Sequence, residues 1–114
     1  MEIDTAAKHL LMVRTWEKLN LPTYNSVIGF DVILQIMASY GNDRTNNLKH
    51  LYRSVDYSES QIRAFIRRLE SDEWIVLVEN AADRRNRYIK PSQNLIAKFA
   101  EYVTVFRKVG ELPG

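Results

Sequence analysis

The sequence predicts a mainly α-helical fold with one small β-hairpin, and three features of the pattern predict it. Apolar residues recur at helical spacing in successive segments, two short apolar strand candidates lie in the second half, and a polar, arginine-rich loop joins them. A chain of 114 residues, 46% of them hydrophobic, is long enough to bury one core. We therefore expect a single domain.

The ends of the first two helices are marked by capping and breaking residues. Asp4 can cap a helix that runs to about Asn20, where a following proline prevents continuation because it lacks the backbone N–H of the helical ladder. The second helix is expected from about Ser26 to Tyr40, ended by a Gly-Asn-Asp turn. Its apolar stripe, which we expect to be buried, consists of Val32, Ile33, Ile36, Met37 and Tyr40.

Two further helices follow within a short stretch of chain. Thr45 is expected to cap a short third helix, and Ser58 opens a fourth helix because it forms a capping-box pattern with Gln61. The inward positions of the third helix are Leu48, Leu51 and Val55. On the fourth helix, the spacing i, i+3, i+4, i+7 turns one apolar face inward, formed by Ile62, Phe65, Ile66 and Leu69.

A hairpin and a final helix complete the pattern. The strand candidates Trp74–Val78 and Arg87–Lys90 flank the arginine-rich loop, and Ser92 can cap a last helix over Leu95–Val109. The order of helix, turn, helix, hairpin and helix predicts a winged helix-turn-helix, an architecture that places one helix in the DNA major groove.

The two terminal helices carry more apolar surface than one small domain needs to bury. The last helix repeats apolar and aromatic residues at intervals of four and three, and the first is apolar around much of its circumference. We infer that both pack against a second copy in a homodimer; the alternative is that they complete the monomer core. The expected interface residues are Leu10, Val13, Trp16, Leu95, Phe99, Tyr102, Phe106 and Val109. The single domain of residues 1–114 then divides into a winged-helix core, residues 24–91, and dimerisation helices, residues 1–21 and 92–110.

Basic charge is concentrated in the middle of the chain. The formal net charge is only +2, but the segment Arg44–Lys90 contains ten basic and seven acidic residues. The outer face of the fourth helix gathers basic and hydrogen-bonding residues, while Glu59 and Glu70 are expected to turn aside; an ordinary solvated helix face is the alternative.

The hairpin loop favours DNA binding over a solvated helix face. It adds three arginines, and clustered like charges cost energy unless a polyanion neutralises them. We therefore predict double-stranded DNA as the partner, and we expect Asp83 to set the direction of one arginine through a bidentate pair. The predicted DNA-binding residues are Ser58, Ser60, Gln61, Arg63, Ala64, Arg67, Arg68, Arg84, Arg85 and Arg87.

The segment from Leu48 to Ser92 resembles the core of the MarR family of bacterial transcription regulators. The wing is the most specific part, because the family pattern of Asp-x-Arg, an apolar residue and a Leu-Thr-like pair is met by Asp83, Arg85, Ile89 and a Pro-Ser pair. The resemblance implies a DNA-clamping homodimer, with the helix after the turn in the major groove and Arg85 in the minor groove. It favours a repressor over an activator, and it implies a small aromatic effector, which members often sense.

The recognition helix departs from the family pattern at one position that bears on base readout. Ala64 stands where family members often have arginine, so we expect the neighbouring Arg63 to read bases instead.

Other classes of function find little support in the sequence. The chain has no cysteine, and His9 and His50 lack partners at catalytic or metal-ligand spacing, so we expect no enzymatic activity, cofactor or metal. No run of about 18 apolar residues occurs, which predicts a cytoplasmic protein without a membrane partner. The main alternative is a winged helix that binds another protein, whose recognition helix would be expected to expose apolar anchors.

Overall fold

The computed structural model describes residues 2–110, and it describes side chains for residues 2–108. Within this range, helices and one antiparallel hairpin follow each other in the predicted order, and the mainly α fold class is confirmed. The elements are α1 (Ile3–Asn20), α2 (Val27–Ala38), α3 (Leu48–Ser54), α4 (Glu59–Ser71), β1 (Ile75–Val78), β2 (Tyr88–Pro91) and α5 (Gln93–Gly110).

The residues that cap the starts of two helices differ from the predicted ones. Asn47 rather than Thr45 caps α3, because its side-chain oxygen accepts a hydrogen bond from the His50 amide at 2.9 Å. Thr45 is instead part of the preceding turn, in which its amide donates to the Asn42 carbonyl at 3.1 Å. Helix α1 begins at Ile3, so Asp4 lies inside the first turn rather than at the cap. A carboxylate there still stabilises the helix through its interaction with the positive end of the helix dipole.

The hydrophobic core lies between α2, α3, α4, the hairpin and the first turn of α5. Leu77 of β1 is paired with Ile89 of β2, and Ile89 is buried against the helices. Tyr40 was expected in this core, but its side chain is 55% exposed because α2 ends at Ala38 and Tyr40 lies in the turn that follows. The buried core residues are Val32, Ile33, Ile36, Leu48, Leu51, Ile62, Ile66, Leu69, Ile75, Ile89 and Leu95.

The loop between α1 and α2 is tightly packed. Tyr24 and Asn25 both adopt left-handed backbone conformations, with φ of 53° and 57°, which non-glycine residues rarely do. Gly29 in α2 faces the same loop, and a Cβ atom there would lie 2.3 Å from the Thr23 carbonyl oxygen. The absence of a side chain at Gly29 therefore allows α2 to approach the loop closely.

The capping box predicted for α4 is present. Ser58 Oγ accepts a hydrogen bond from the Gln61 amide at 3.2 Å, and the Ser58 amide donates to Gln61 Oε1 at 3.1 Å. These two bonds satisfy backbone groups that the first turn of a helix otherwise leaves unpaired.

We expect Ser58→Ala to lower the free energy of unfolding by about 1 kcal/mol, the usual loss for an N-cap hydroxyl. Ser60→Ala is the matched control, since it removes the same hydroxyl from an exposed position inside the helix. Urea unfolding of both variants measures the difference. Equal losses in the two variants would show that the cap is not the source of the effect.

Helices α1 and α5 pack together as an arm beside the winged-helix core. Trp16 stacks on Tyr102 with ring centroids 5.6 Å apart, and Phe99 meets Tyr102 edge-on at 5.6 Å. Glu17, only 4% exposed, accepts a hydrogen bond from the Tyr102 hydroxyl at 3.0 Å and pairs with Arg14 at 3.3 Å. The resulting molecule is elongated, with extents of 52 × 25 × 23 Å.

The hydrogen bond from Tyr102 to Glu17 makes the stability of the fold depend on pH in the alkaline range. Burial and the hydrogen bond to Glu17 raise the pKa of Tyr102 from 10.0 to about 12. Because the folded-state pKa lies above the unfolded value, the contribution to stability is fully present below about pH 10 and is lost between about pH 10 and 12. Over that interval, we expect the parent to lose more unfolding free energy than Tyr102→Phe does.

Urea unfolding at several pH values from 8 to about 12 tests this expectation. Tyr40→Phe is the matched control, because it removes the same hydroxyl from an exposed side chain outside the arm. Identical alkaline losses in the parent and in Tyr102→Phe would contradict the role given to this hydroxyl.

Candidate nucleic-acid interface

The polar face of α4 points away from the core. Ile62, Ile66 and Leu69 are buried, so the helix is fixed with its opposite side toward solvent. All of the residues predicted to contact DNA are exposed, namely Ser58, Ser60, Gln61, Arg63, Ala64, Arg67, Arg68, Arg84, Arg85 and Arg87.

A groove runs between α4, α3 and the wing, the loop of residues 79–87 that joins β1 to β2. We call it the helix–wing groove; its cavity volume is about 550 Å³. The arginines that line it are Arg63, Arg67, Arg84, Arg85 and Arg87. The fold thus brings the two predicted groups of arginines, one on the helix and one on the wing, to the same surface.

The wing is fixed to the start of α3 by a small hydrogen-bond network. Asn86 Oδ1 accepts from the Lys49 amide at 2.8 Å, and the buried Asn80 donates through Nδ2 to the Asn86 carbonyl at 3.1 Å. Backbone bonds extend this attachment, since the Leu48 amide donates to the Arg87 carbonyl at 3.1 Å. The base of the arginine loop is therefore held to the winged-helix core.

Asp83 does not form the expected bidentate pair with an arginine. Its Oδ2 lies 3.6 Å from Lys49 Nζ, and its Oδ1 accepts a hydrogen bond from the backbone amide of Arg85 at 3.1 Å. The loop is tight enough for a short carboxylate to reach the amide two residues on, as in an Asx-turn. Asp83 thus fixes the backbone at Arg85 and leaves the guanidinium without an acidic partner within the described residues.

Arg68 is held away from the helix–wing groove. Its guanidinium carbon lies 3.7 Å from the centre of the Tyr24 ring, a cation–π contact with the α1–α2 loop. The Tyr24 hydroxyl donates to Asp72 Oδ2 at 2.7 Å, and burial together with this bond raises the pKa of Tyr24 well above its usual range. Arg68 therefore lies outside the lining of the helix–wing groove and connects α4 to the α1–α2 loop, and its contact with DNA stays a prediction.

Two arginines of the groove carry acidic partners. Arg63 donates to Glu59 one turn earlier on α4, and Arg84 Nε lies 3.6 Å from Glu79 in the wing. Hydrogen bonding and charge interaction with Tyr52, and then with Glu59, raise the pKa of the Arg63 guanidinium above its ordinary value. Among the described residues, no ion pair engages Arg67, Arg85 or Arg87.

Several groove residues were missed or misplaced in the sequence interpretation. Lys49, Tyr52 and Arg53 line a neighbouring cavity of about 610 Å³ between α3 and the wing, and Tyr52 also lines the helix–wing groove. Their spacing of i, i+3 and i+4 is the signal that would have placed them on one outward face of α3. Glu59 and Glu70 do not turn aside; both line the helix–wing groove.

The predicted dimer-interface residues whose side chains the structure describes fall into three groups. Leu95 is 0% exposed and Val13 is also buried within the single chain, so both are corrected to monomer core. Leu95 lies in the first turn of α5, which packs into the core beneath the hairpin. Leu10 and Phe106 are exposed, and the aromatic cluster of Trp16, Phe99 and Tyr102 is half-buried. Val109 belongs to α5, but its side chain lies outside the described residues.

Across residues 2–110, no helix is long and apolar enough to span a membrane. The same residues contain no group of three or more histidine, aspartate or glutamate side chains placed to hold a metal ion.

The fold has clear counterparts among solved structures, although no family model and no curated protein matches the sequence. The S. aureus protein MepR in complex with DNA has a TM-score of 0.71 at 12% identity, over 96% of this chain and 78% of that chain. BpsR of Bordetella bronchiseptica, whose DNA binding is regulated by 6-hydroxynicotinic acid, has a TM-score of 0.59 at 14% identity, over 95% and 80%. MarR has a TM-score of 0.62 at 14% identity, over 95% and 77%.

The helix-turn-helix, the hairpin wing and the flanking helices define a winged helix-turn-helix protein. Its fold is that of the MarR-type transcription regulators, which confirms at the level of fold the resemblance seen in the wing sequence.

Proposed function

We propose that the protein is a homodimeric, sequence-specific double-stranded DNA-binding regulator of transcription. The observation that carries the proposal is the helix–wing groove, in which exposed arginines from α4 and the wing meet on one surface. The MarR-type fold supports it, since MepR with this fold has been solved on DNA. On the same resemblance we favour repression over activation, and the proposal includes a cytoplasmic location, where the bacterial chromosome lies.

The two walls of the groove suit two parts of a duplex. The B-DNA major groove, about 12 Å wide, admits an α-helix, so α4 would present Arg63 and Arg67 to base edges or phosphates. The wing would then lie over the adjacent backbone, where Arg85 would enter the narrower minor groove. The exposed surface of α4 favours DNA over a protein partner, because it offers arginines and hydroxyls rather than the apolar anchors that protein interfaces use.

Exposed apolar side chains on the arm support the homodimer. Leu10, Leu11, Met12 and Leu19 of α1 are exposed in the single chain, as is Phe106 of α5. Such a concentration of apolar surface is typical of an interaction site. Packing two arms together would bury it and would place two copies of α4 on one duplex.

Selection of bound fragments from random duplex DNA, read together with the solution mass, tests the proposal. We expect a dimeric mass and enrichment of an inverted repeat with half-sites centred about 10 base pairs apart, one helical turn. A monomer that binds single half-sites equally well would contradict the symmetry. Absence of any enriched sequence would favour the alternative, a winged-helix module that binds another protein.

We also propose a small aromatic acid as an effector, on the basis of a cavity between α1 and α2. The cavity has a volume of about 90 Å³, and Arg14, Lys18 and Phe30 contribute two cations and an aromatic ring to its lining. Glu17 also lines it and pairs with Arg14, which leaves Lys18 as the cation available to a carboxylate. BpsR, which has the same fold, responds to 6-hydroxynicotinic acid, a compound of this chemistry.

Calorimetric titration of the protein with 6-hydroxynicotinic acid tests the effector proposal. We expect binding that weakens in Lys18→Ala, because that variant removes a cation that would face the carboxylate. Lys8→Ala, on an exposed part of α1 outside the cavity, is the control. Equal heats in both variants and the parent would exclude this cavity as the site of that compound.

A further inference from the structure

The helix–wing groove contains carboxylates where a DNA-binding surface would be expected to carry cations alone. Glu59 is the clearest case, because it lines both the helix–wing groove and the neighbouring cavity between α3 and the wing. A carboxylate at this place repels the phosphates that the surrounding arginines attract. As the first residue of α4, Glu59 also stabilises the helix by interacting with the positive end of its dipole. That interaction does not require contact with an arginine of the groove.

Glu59 contacts Arg63 directly. Its Oε1 accepts a hydrogen bond from Arg63 Nη2, and the two side chains are separated by one helical turn. Both side chains are about half exposed, and exposed pairs of this kind contribute little to stability because water screens them. The main consequence of the contact is therefore the direction in which the guanidinium points.

The pair leaves much of the guanidinium available. An arginine has five N–H donors; the Glu59 carboxylate accepts a hydrogen bond from Nη2 alone, and Tyr52 is the other side chain that acts on this guanidinium. The remaining donors can still form the two parallel hydrogen bonds that guanine O6 and N7 accept in the major groove. A held guanidinium with a free edge suits readout of a single base better than contact with a phosphate, whose position varies along the backbone.

We propose that Glu59 is a specificity-determining residue that positions Arg63 for a guanine and penalises duplexes without one. On an unrelated duplex, Arg63 can gain only phosphate contacts, and the Glu59 carboxylate both competes for the guanidinium and repels the backbone. On the preferred site, the same carboxylate keeps the guanidinium plane oriented while the guanine takes the free donors. This inference rests on the proposed DNA-binding function.

Arg85 in the wing differs from Arg63 because no carboxylate in the described part of the chain restrains its guanidinium. Arg85 has no acidic side-chain partner among the described residues, since Asp83 binds its backbone amide and pairs with Lys49. A free guanidinium can follow the phosphates of any duplex, which supplies affinity without sequence information. The restrained Arg63 and the free Arg85 thus divide specificity and affinity between the helix and the wing.

Glu59→Gln tests the proposal because it removes the charge and preserves the size of the side chain. We expect tighter binding to an unrelated duplex and little change on the selected duplex, so that the ratio of the two Kd values falls about fivefold. Glu73→Gln is the matched control: it removes the same charge beyond the end of α4, outside both cavities, and should leave the ratio unchanged. If both variants change the ratio of the two Kd values equally, Glu59 acts only through its general negative charge, and the proposal is overturned.

A double-mutant cycle with Arg63→Ala shows whether Glu59 acts through that arginine. We expect Glu59→Gln to change the Kd ratio in the parent and to have no further effect in the Arg63→Ala background. Circular dichroism confirms that each variant is folded. If the parent fails to distinguish any duplexes, the proposed function itself fails; if the parent distinguishes them and Glu59→Gln keeps the full ratio, only the role of Glu59 is overturned.

Discussion

Replacing Phe106 with glutamate is expected to separate the subunits and to weaken binding to the selected DNA by a factor of about 10² to 10⁴. Phe106 is 59% exposed on α5, one of the two helices of the arm. In a dimer this ring would be buried, and a carboxylate in its place would have to be desolvated without a partner. A separated subunit binds only one half-site, so the gain from simultaneous engagement of two half-sites is lost.

Val76→Glu is the matched control for this prediction. Val76 is 56% exposed on β1, in the winged-helix core rather than on the arm, so a new charge there should leave the mass unchanged. Light scattering after size-exclusion chromatography gives the mass, and fluorescence anisotropy gives the DNA affinity. A folded Phe106→Glu variant with the parental mass would exclude Phe106 from the interface. Phe99 is a poorer site for this test, because it packs on Tyr102 within the chain.

Helix α4 was predictable because local chemistry fixes both its start and its orientation. The capping box at Ser58 and Gln61 involves residues three apart, and the inward face of α4 follows from helical periodicity alone. Both signals depend on short sequence separations, so no knowledge of the remaining chain is needed. The same reasoning correctly placed the arginines of α4 and of the wing on the exposed surface.

The limits of the sequence interpretation lie where contacts join distant residues. Periodicity indicates that a helix face is apolar but not which chain covers it, and Leu95 and Val13 proved to be core of the same chain. Asp83 is paired with Lys49, and Arg68 is engaged by Tyr24, across separations that no local pattern reports. Glu59 was misjudged for a different reason: a flexible side chain on the flank of a helix can turn toward the groove.

Removing an arginine from the wing and removing one from α4 are expected to weaken DNA binding in different ways. Arg85→Ala should weaken binding to selected and unrelated duplexes by similar factors and lower the salt slope by about one unit, since one phosphate-neutralising cation is lost. Asp83→Asn is the matched wing control. An asparagine oxygen can still accept a hydrogen bond from the Arg85 amide, so only the exposed ion pair with Lys49 is lost. We therefore expect a small effect on DNA affinity.

Arg63→Ala should instead weaken binding selectively. If Arg63 pairs with a guanine edge, its removal should cost about 1 to 3 kcal/mol on the selected duplex and much less on unrelated DNA. Anisotropy titrations of both duplexes at several salt concentrations separate the two patterns, because loss of a base contact leaves the salt slope nearly unchanged while loss of a phosphate contact lowers it. Parental affinity in both folded arginine variants would remove the main support for DNA binding. The exposed arginines of the helix–wing groove would then have to be explained by an acidic protein partner.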